Sequence, residues 1–167
     1  MITVQPPLDL PPYNEVVVIK VRLDNGHIIY RTDARDKPAF RREFRTFRYD
    51  DHGFLLNKRH EEHVLAWAYI PLPDDPRWKG VVLTPPDYWT PVLVQMRHIM
   101  DAPYFKVTQR QFTNVDVNGF KIHRNDRYTL KWCALESLEF VEVQKFRSSE
   151  VKRWLSSPHG LLNIRTS

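Results

Sequence analysis

A chain of 167 residues that is 42% hydrophobic and 13% aromatic can bury a core, which excludes wholesale disorder and suits one ordinary domain or two small ones. Its formal net charge of +5 attracts nucleic acid, anionic membrane and acidic proteins without choosing among them. The single cysteine, Cys133, excludes an intrachain disulfide and favours a reducing compartment.

The amino-terminal residues 1–7 have neither the basic start nor the apolar stretch of a signal peptide. No apolar run approaches the roughly 20 residues needed to span a bilayer. We therefore expect a soluble, intracellular protein that does not act in a membrane.

The first predicted element is a β-hairpin. Residues 15–23 are rich in valine and run into Asn25-Gly26, and residues 27–32 supply the returning strand. Asn-Gly favours a two-residue type I′ turn, in which both residues have positive φ.

A helix is predicted next, over residues 36–47. Asp36 can cap it and Pro38 lies within its first turn. Phenylalanines follow at positions 40, 44 and 47 with helical spacing, which predicts an amphipathic helix lying on a sheet. Basic residues lie largely on the other side or follow the segment, and they form a candidate surface for phosphates or an acidic partner: Arg41, Arg42, Arg45, Arg48, Lys58 and Arg59.

A buried strand is predicted over residues 63–72, and the prolines of residues 71–76 form a connector because proline cannot continue a central ladder. The chain is thus divided into a first β-rich unit, residues 1–75, and a second, residues 76–167. The second unit repeats the Asn-Gly signal at Asn118-Gly119. It then continues with one or two strands over residues 128–143 and a short helix over residues 149–156.

An internal repeat supports this division. Four residues recur identically 75 positions later: Pro11, Tyr13, Val17 and Arg22 match Pro86, Tyr88, Val92 and Arg97. Residues 53–58 align with 119–124 at a shift of 66, and residues 65–68 align with 130–133 at a shift of 65, which places Trp67 on Trp132. The shift falls by nine, so the first copy carries about nine extra residues, which the predicted helix accounts for.

The predicted fold class is therefore mainly β (α+β). It consists of two related small antiparallel β units, the first with an inserted helix, plus a short C-terminal helix. Thr90-Pro91 could also cap and begin a helix, but the repeat favours a strand over residues 90–100.

In the first unit Leu10-Pro11 precedes a valine-rich strand and a hairpin, and Trp67 is followed, after three residues, by Pro71-Leu72-Pro73. This pattern resembles a phage and prophage family known as domain of unknown function 551, whose closing Trp-x-Pro-Leu-Pro signature has a tighter spacing. The resemblance covers residues 8–75, with a diverged second copy over residues 83–145. The family has no established activity to carry over, and the resemblance implies a phage or prophage protein that acts in the bacterial cytoplasm.

Catalytic patterns are weak, and we expect neither an enzyme nor a cofactor. His60 and His63 are spaced to share a helix face and are the best metal candidates, although they lack the i, i+4 histidine spacing of zinc proteases. Cys133 lies between Trp132 and Ala134, which is typical of a buried structural thiol rather than a nucleophile.

Three aromatic residues flank prolines near the connector and are candidate surface residues: Trp78, Tyr88 and Trp89. The leading hypothesis is a phage-encoded, non-catalytic accessory protein that binds a bacterial host protein, for example to block a host or defence factor. A second hypothesis is nucleic-acid binding through the basic face. A third is a pocket between the two copies that sequesters a small molecule or nucleotide.

Overall fold

The computed structural model describes residues 9–98, 103–121 and 126–143, and this part of the chain is mainly β with antiparallel pairing, as predicted. It contains ten strands: β1 (Val17–Arg22), β2 (Ile28–Asp33), β3 (Phe47–Tyr49), β4 (Leu55–Asn57), β5 (His63–Tyr69), β6 (Lys79–Gly80), β7 (Val92–His98), β8 (Tyr104–Thr108), β9 (Asp126–Ala134) and β10 (Val141–Glu142). The helical segments within the described residues are two 3-10 turns, Pro38–Phe40 and Leu135–Ser137.

The strands form two four-stranded sheets and one two-stranded ribbon. The first sheet has the order β10-β5-β1-β2, the second has the order β6-β9-β7-β8, and β3 pairs with β4. The predicted first hairpin is confirmed as β1–β2, and the choice of a strand after Pro91 is confirmed by β7.

The two sheets have the same register. Ile19 lies between Arg31 and Trp67 in the first sheet, and Val94, 75 positions later, lies between Lys106 and Trp132 in the second. A β-bulge interrupts both central pairings at matching positions, Lys20/Val21 and Gln95/Met96. The alignment found in the sequence is therefore reproduced strand by strand.

Each sheet is completed by a strand that follows the central strand of the other sheet. After β5 the chain crosses to the second sheet, where Lys79 of β6 lies opposite Trp132. After β9 it crosses back to the first sheet, where Val141 of β10 lies opposite Trp67. Because the strands are exchanged in this way, a cut near residue 75 does not separate the two sheets, and the division into units 1–75 and 76–167 stays a prediction.

The buried cores repeat the same correspondence. Six buried residues of the first core have buried counterparts in the second: Val17, Ile19, Val21, Phe54, Trp67 and Val143 match Val92, Val94, Met96, Phe120, Trp132 and Val81. Val143 and Val81 directly follow the exchanged strands, so each half of the chain contributes to the core of the other half. The indole N–H groups also match, since Trp67 donates to the carbonyl oxygen of Asp9 and Trp132 to that of Thr84.

A third buried cluster joins the sheets through matched residues, Val18 with Leu93 and Ala68 with Cys133. Trp78, Leu135 and Leu138 complete this seam. Thr32 Oγ1 of β2 also donates to the carbonyl oxygen of Phe105 in β8 at 3.3 Å. Burial of this apolar area is the main force that holds the sheets together.

The predicted helix over residues 36–47 is wrong. Asp36, its expected cap, instead accepts a hydrogen bond from the Tyr49 hydroxyl at 2.5 Å. Arg41 ends the 3-10 turn with an extended backbone, φ −74° and ψ 135°. Phe40 and Phe47 are exposed and do not pack on a sheet. An amphipathic helix is stabilised mainly by burying its apolar face, so the helical spacing of the phenylalanines is not enough to form one here.

The predicted type I′ turn is also wrong. Gly26 N–H donates to the carbonyl oxygen of Leu23 at 3.0 Å, and Gly26 has φ +84°, whereas Asn25 has negative φ. This geometry is a type I turn followed by a glycine bulge, the usual three-residue hairpin loop. Gly119 closes a turn of the same kind in the second half, with φ +88°.

An ion pair attaches the β3–β4 ribbon to the first sheet. Arg31 Nη1 lies 2.9 Å from Oε2 of the buried Glu62, and Arg31 Nη2 donates to the carbonyl oxygen of Leu55 in β4. Burial would raise the pKa of Glu62, but the hydrogen bonds from Arg31 and from the Asn57 N–H lower it below its usual value. The ribbon is thus held by these charge-assisted bonds and by Leu56 of β4, which is buried in the first core, whereas Phe40 and Phe47 remain exposed.

The predicted C-terminal helix over residues 149–156 lies outside the described residues. Within the described residues, no helix has the length and apolar character required to cross a membrane.

Candidate functional site

Both halves present a tyrosine with an arginine stacked on its ring. The Arg35 guanidinium carbon lies 4.2 Å from the centre of the Tyr13 ring, and that of Arg110 lies 4.0 Å from the centre of the Tyr88 ring. Each arginine also donates to the carbonyl oxygen of an equivalent proline, Pro11 or Pro86. The stacked pair is therefore part of the shared architecture.

In the second half, an aromatic cluster that the first half lacks surrounds this tyrosine–arginine pair. It consists of Tyr88, Trp89 and Phe112, whose exposed fractions are 42%, 55% and 70%. The Tyr88 and Phe112 rings stack with centroids 4.7 Å apart, and Trp89 meets Phe112 edge-on at 6.1 Å. The equivalent positions in the first half hold Tyr13, Asn14 and Lys37, which cannot form such a cluster.

The backbone of Trp89 is strained. Its φ is +64°, in the left-handed region, and its N–H donates to the carbonyl oxygen of Arg110 at 2.9 Å. Asn14 has the same φ and makes the same bond to Arg35, so the fold requires this conformation in both halves. Asparagine tolerates it, but a bulky side chain there costs about 1–2 kcal/mol.

Arg110 has a second unfavourable feature, a buried hydrogen-bond donor without an acceptor among the described residues. Arg35 Nε donates to the carbonyl oxygen of His52 at 2.7 Å, whereas the buried Nε of Arg110 has no hydrogen-bond partner among the described residues. Strained backbone and an unsatisfied buried donor are features that proteins retain mainly where function requires them. The unsatisfied donor occurs at the aromatic cluster and not at Arg35, whereas the left-handed backbone occurs in both halves and carries a bulky tryptophan only in the second.

The predicted aromatic surface is therefore only partly correct. Tyr88 and Trp89 are exposed, but Trp78 is 9% exposed and lies in the seam, where its indole N–H donates to the carbonyl oxygens of Pro71 and Leu72. Phe112 was missed because it lies 23 positions from Trp89 in the sequence. The repeat could have revealed it, since position 112 aligns with Lys37 at the shift of 75.

The predicted basic residues lie on the ribbon region. Arg42, Arg45, Arg48 and Arg59 are exposed there. Arg41 and Lys58 are partly occupied, because Arg41 Nε donates to the carbonyl oxygen of Asp36 at 3.0 Å and Lys58 Nζ donates to that of Phe44. The charged surface exists, although on an extended ribbon and not on a helix.

The histidine pair does not share a helix face. His60 lies in an exposed turn, and His63 is the first residue of β5, with its Nε2 3.4 Å from Glu61 Oε1. Among the described residues, no three metal-ligating side chains come together. Cys133 is buried in the seam and burial raises the pKa of its thiol, which disfavours the nucleophilic thiolate.

An open apolar groove of about 650 Å³ lies between the sheets, beside the β2 and β8 edges. Val16, Leu72 and Tyr104 contribute to its wall, and its acidic groups are Glu15 and Asp33. The volume suits a small ligand. Because the lining residues include two carboxylates and no cation, the groove does not favour the phosphates of a nucleotide.

Comparisons of the chain with protein-family models, with curated proteins and with solved structures gave no match. The resemblance to domain of unknown function 551 therefore stays a prediction.

Proposed function

We propose that this chain is a non-catalytic binding protein that holds a protein partner through the aromatic cluster of Tyr88, Trp89 and Phe112. The observation that carries the proposal is the exposed, strained Trp89 at a position where the first half has Asn14. Tryptophan, tyrosine and arginine are the residues most enriched at interface hot spots, so Arg110 beneath Tyr88 fits the same role.

The matched registers and cores support a further part of the proposal, that the chain contains two copies of one β unit. In a duplicated fold, residues that serve folding remain similar and residues that differ are free to serve function. Trp67 and Trp132 belong to the first class, and Trp89 and Phe112 belong to the second.

From the resemblance to a phage family we propose further that the partner is a protein of the bacterial cytoplasm, a host or defence factor that this chain blocks. The partner is expected to offer an apolar pocket that accepts the indole, and the net charge of the whole chain, +5, favours an acidic partner over a basic one. The complex is expected to form faster at low salt because opposite charges steer the encounter.

The test uses the residues of the first half as substitutes. The variant Trp89→Asn/Phe112→Lys gives the second half the side chains that the same backbone already carries at Asn14 and Lys37, so the fold is expected to persist. Tagged wild type and variant are used to capture proteins from bacterial lysates, and captured proteins are identified by mass spectrometry.

We expect a protein that the wild type retains and the double variant loses. The matched control is Val82→Asn/Leu83→Lys, which changes two exposed apolar residues outside the cluster, and it should retain the partner. Capture that is equal for the wild type and the cluster variant, or a wild type that remains without a partner in several hosts, would reject the proposal.

A further inference from the structure

The β3–β4 region contains a segment that the second half lacks. Two matched hydrogen bonds locate it, since Asp36 N–H donates to the carbonyl oxygen of Gly53 and Gln111 N–H donates to that of Gly119. Between Asp36 and Asp50 there are 13 residues, whereas between Gln111 and the equivalent Asp116 there are four. None of residues 37–49 is buried, so the nine extra residues add nothing to the cores.

This region carries almost all of the net charge of the chain. We define the basic ribbon as residues 37–59, which contain seven Lys or Arg and three Asp or Glu, a net charge of +4 out of +5. The remaining 144 residues hold 18 basic and 17 acidic residues, a net charge of +1. The equivalent residues 112–125 contain two basic residues, Lys121 and Arg124, and one acidic residue, Asp116, a net charge of +1.

Four exposed guanidinium groups of the basic ribbon form no hydrogen bond or ion pair with any other described residue, those of Arg42, Arg45, Arg48 and Arg59. Arg42, Arg45 and Arg48 lie within residues 37–49, the part that contains the extra segment. The nearby acidic side chain of Asp50 accepts the N–H groups of His52 and Phe54. Free guanidinium groups in a region of like charge are available for charge-assisted bonds to phosphate oxygens.

Exposed aromatic rings lie among these cations. Phe40 is 65% exposed and Phe47 is 40% exposed, and both are within the segment that the second half lacks. Alternating arginine and phenylalanine suits single-stranded nucleic acid, because the cations contact the phosphates and unpaired bases stack on the rings. The bases of a duplex are already stacked and would leave the phenylalanines exposed.

We propose that the basic ribbon binds single-stranded nucleic acid, with Arg42, Arg45 and Arg48 contacting phosphates and Phe40 and Phe47 stacking against bases. This site is distinct in residues and in ligand from the aromatic cluster of the second half. Loss of one activity therefore does not predict loss of the other.

The test is fluorescence anisotropy with the whole chain and a labelled oligo-thymidine of about 20 nucleotides. If about four phosphates are neutralised, the slope of log K against log salt is about −2.8, so affinity falls roughly 50-fold between about 50 and 200 mM salt. The variant Arg42→Gln/Arg45→Gln/Arg48→Gln should bind weakly and show a slope shallower by about 2.

Two further variants separate the contributions. The control Lys79→Gln/Lys121→Gln/Lys131→Gln removes the same charge from exposed residues of the second half and should keep the wild-type slope. The variant Phe40→Ala/Phe47→Ala should weaken binding at least about tenfold at an unchanged slope, since stacking releases no counterions.

The far-ultraviolet circular dichroism of each variant checks that the fold is retained. Affinity that is independent of salt, or arginine and lysine variants that bind alike, would overturn the proposal. Tighter binding to anionic phospholipid vesicles than to the oligonucleotide, with no effect of Phe40→Ala/Phe47→Ala on the oligonucleotide, would overturn it in favour of a membrane surface.

Discussion

The exchange of strands makes Val143 and Val81 a matched pair of probes. Each is 7% exposed, and each packs in the core of the opposite half, Val143 beside Trp67 and Val81 beside Trp132. A valine to alanine change removes two buried methyl groups, at about 0.8 kcal/mol each, and leaves a small cavity. We therefore expect each substitution to lower the free energy of unfolding by about 2 kcal/mol.

Urea unfolding measures this effect, followed in parallel by tryptophan fluorescence and circular dichroism. With a slope of about 2 kcal/mol per M, each variant should lower the midpoint by about 1 M. Because the two cores share strands, both variants should unfold in a single transition with coincident probes. The control Glu142→Ala changes an exposed residue of β10 and should shift stability by less than about 0.5 kcal/mol.

Two separate transitions, one moved by Val81→Ala and the other by Val143→Ala, would show that the halves fold independently. A cost below about 0.5 kcal/mol for Val143→Ala would show that β10 does not complete the first sheet. Either result would refute the strand exchange.

The remaining predictions concern turn geometry and titration. Gly53→Ala should lower the stability more than Gly26→Ala. Both glycines have positive φ, but an alanine Cβ at position 53 would lie 2.5 Å from the carbonyl oxygen of Asp36, whereas nothing lies within 4 Å at position 26. Thermal unfolding of the two variants measures the difference. Burial raises the pKa of Glu62, but the hydrogen bonds from Arg31 and the Asn57 N–H outweigh it and lower the pKa below 4.5. The stability lost in Glu62→Gln at neutral pH should therefore shrink as the pH falls below 4.5 and through the folded-state pKa, which unfolding at several pH values measures. Burial lowers the pKa of Lys106 from 10.5 to about 8, because the charged ammonium group is less stable in the folded protein than in water. The stability of the wild type relative to Lys106→Met should therefore rise as the pH increases from about 8 to 10.5. A difference that does not change over this range would contradict the prediction.

Much of the sheet architecture could be predicted because it depends on local pattern and on self-similarity. The valine-rich runs before Arg22 and Arg97 predicted β1 and β7, and the repeat decided between strand and helix after Pro91. Trp67 and Trp132 were aligned by the same comparison, and the structure places them at equivalent positions in matched cores. Features that depend on contacts within one half of the chain could therefore be predicted from the sequence.

The parts that were not predicted depend on contacts between distant segments. Strands β6 and β10 have two residues each, too few to show a period, and their positions are set by pairing with β9 and β5. Trp78 appeared to be a surface residue because it follows the proline-rich connector, but the seam between the sheets buries it. The phenylalanines of residues 40–47 have helical spacing, yet Asp36 and Arg41 are engaged by other partners and the chain stays extended.

Only part of the candidate site could be predicted from the sequence, because it also joins distant segments of the chain. Tyr88 and Trp89 each lie two residues from a proline and could be selected from the sequence, but their cluster is completed by Phe112 from the loop after β8. The strain at Trp89 is a property of the backbone and becomes visible only through comparison with Asn14. A functional position of this kind breaks the local rule that its counterpart obeys.

The most direct measurement of the central claim is the dissociation constant of the captured partner for the wild type and for the single variant Trp89→Asn. A hot-spot tryptophan contributes at least about 2 kcal/mol, so the variant should bind at least about 30-fold more weakly while it still unfolds in one transition. Binding within threefold of the wild type by a folded Trp89→Asn variant would contradict the assignment of the aromatic cluster as the partner site.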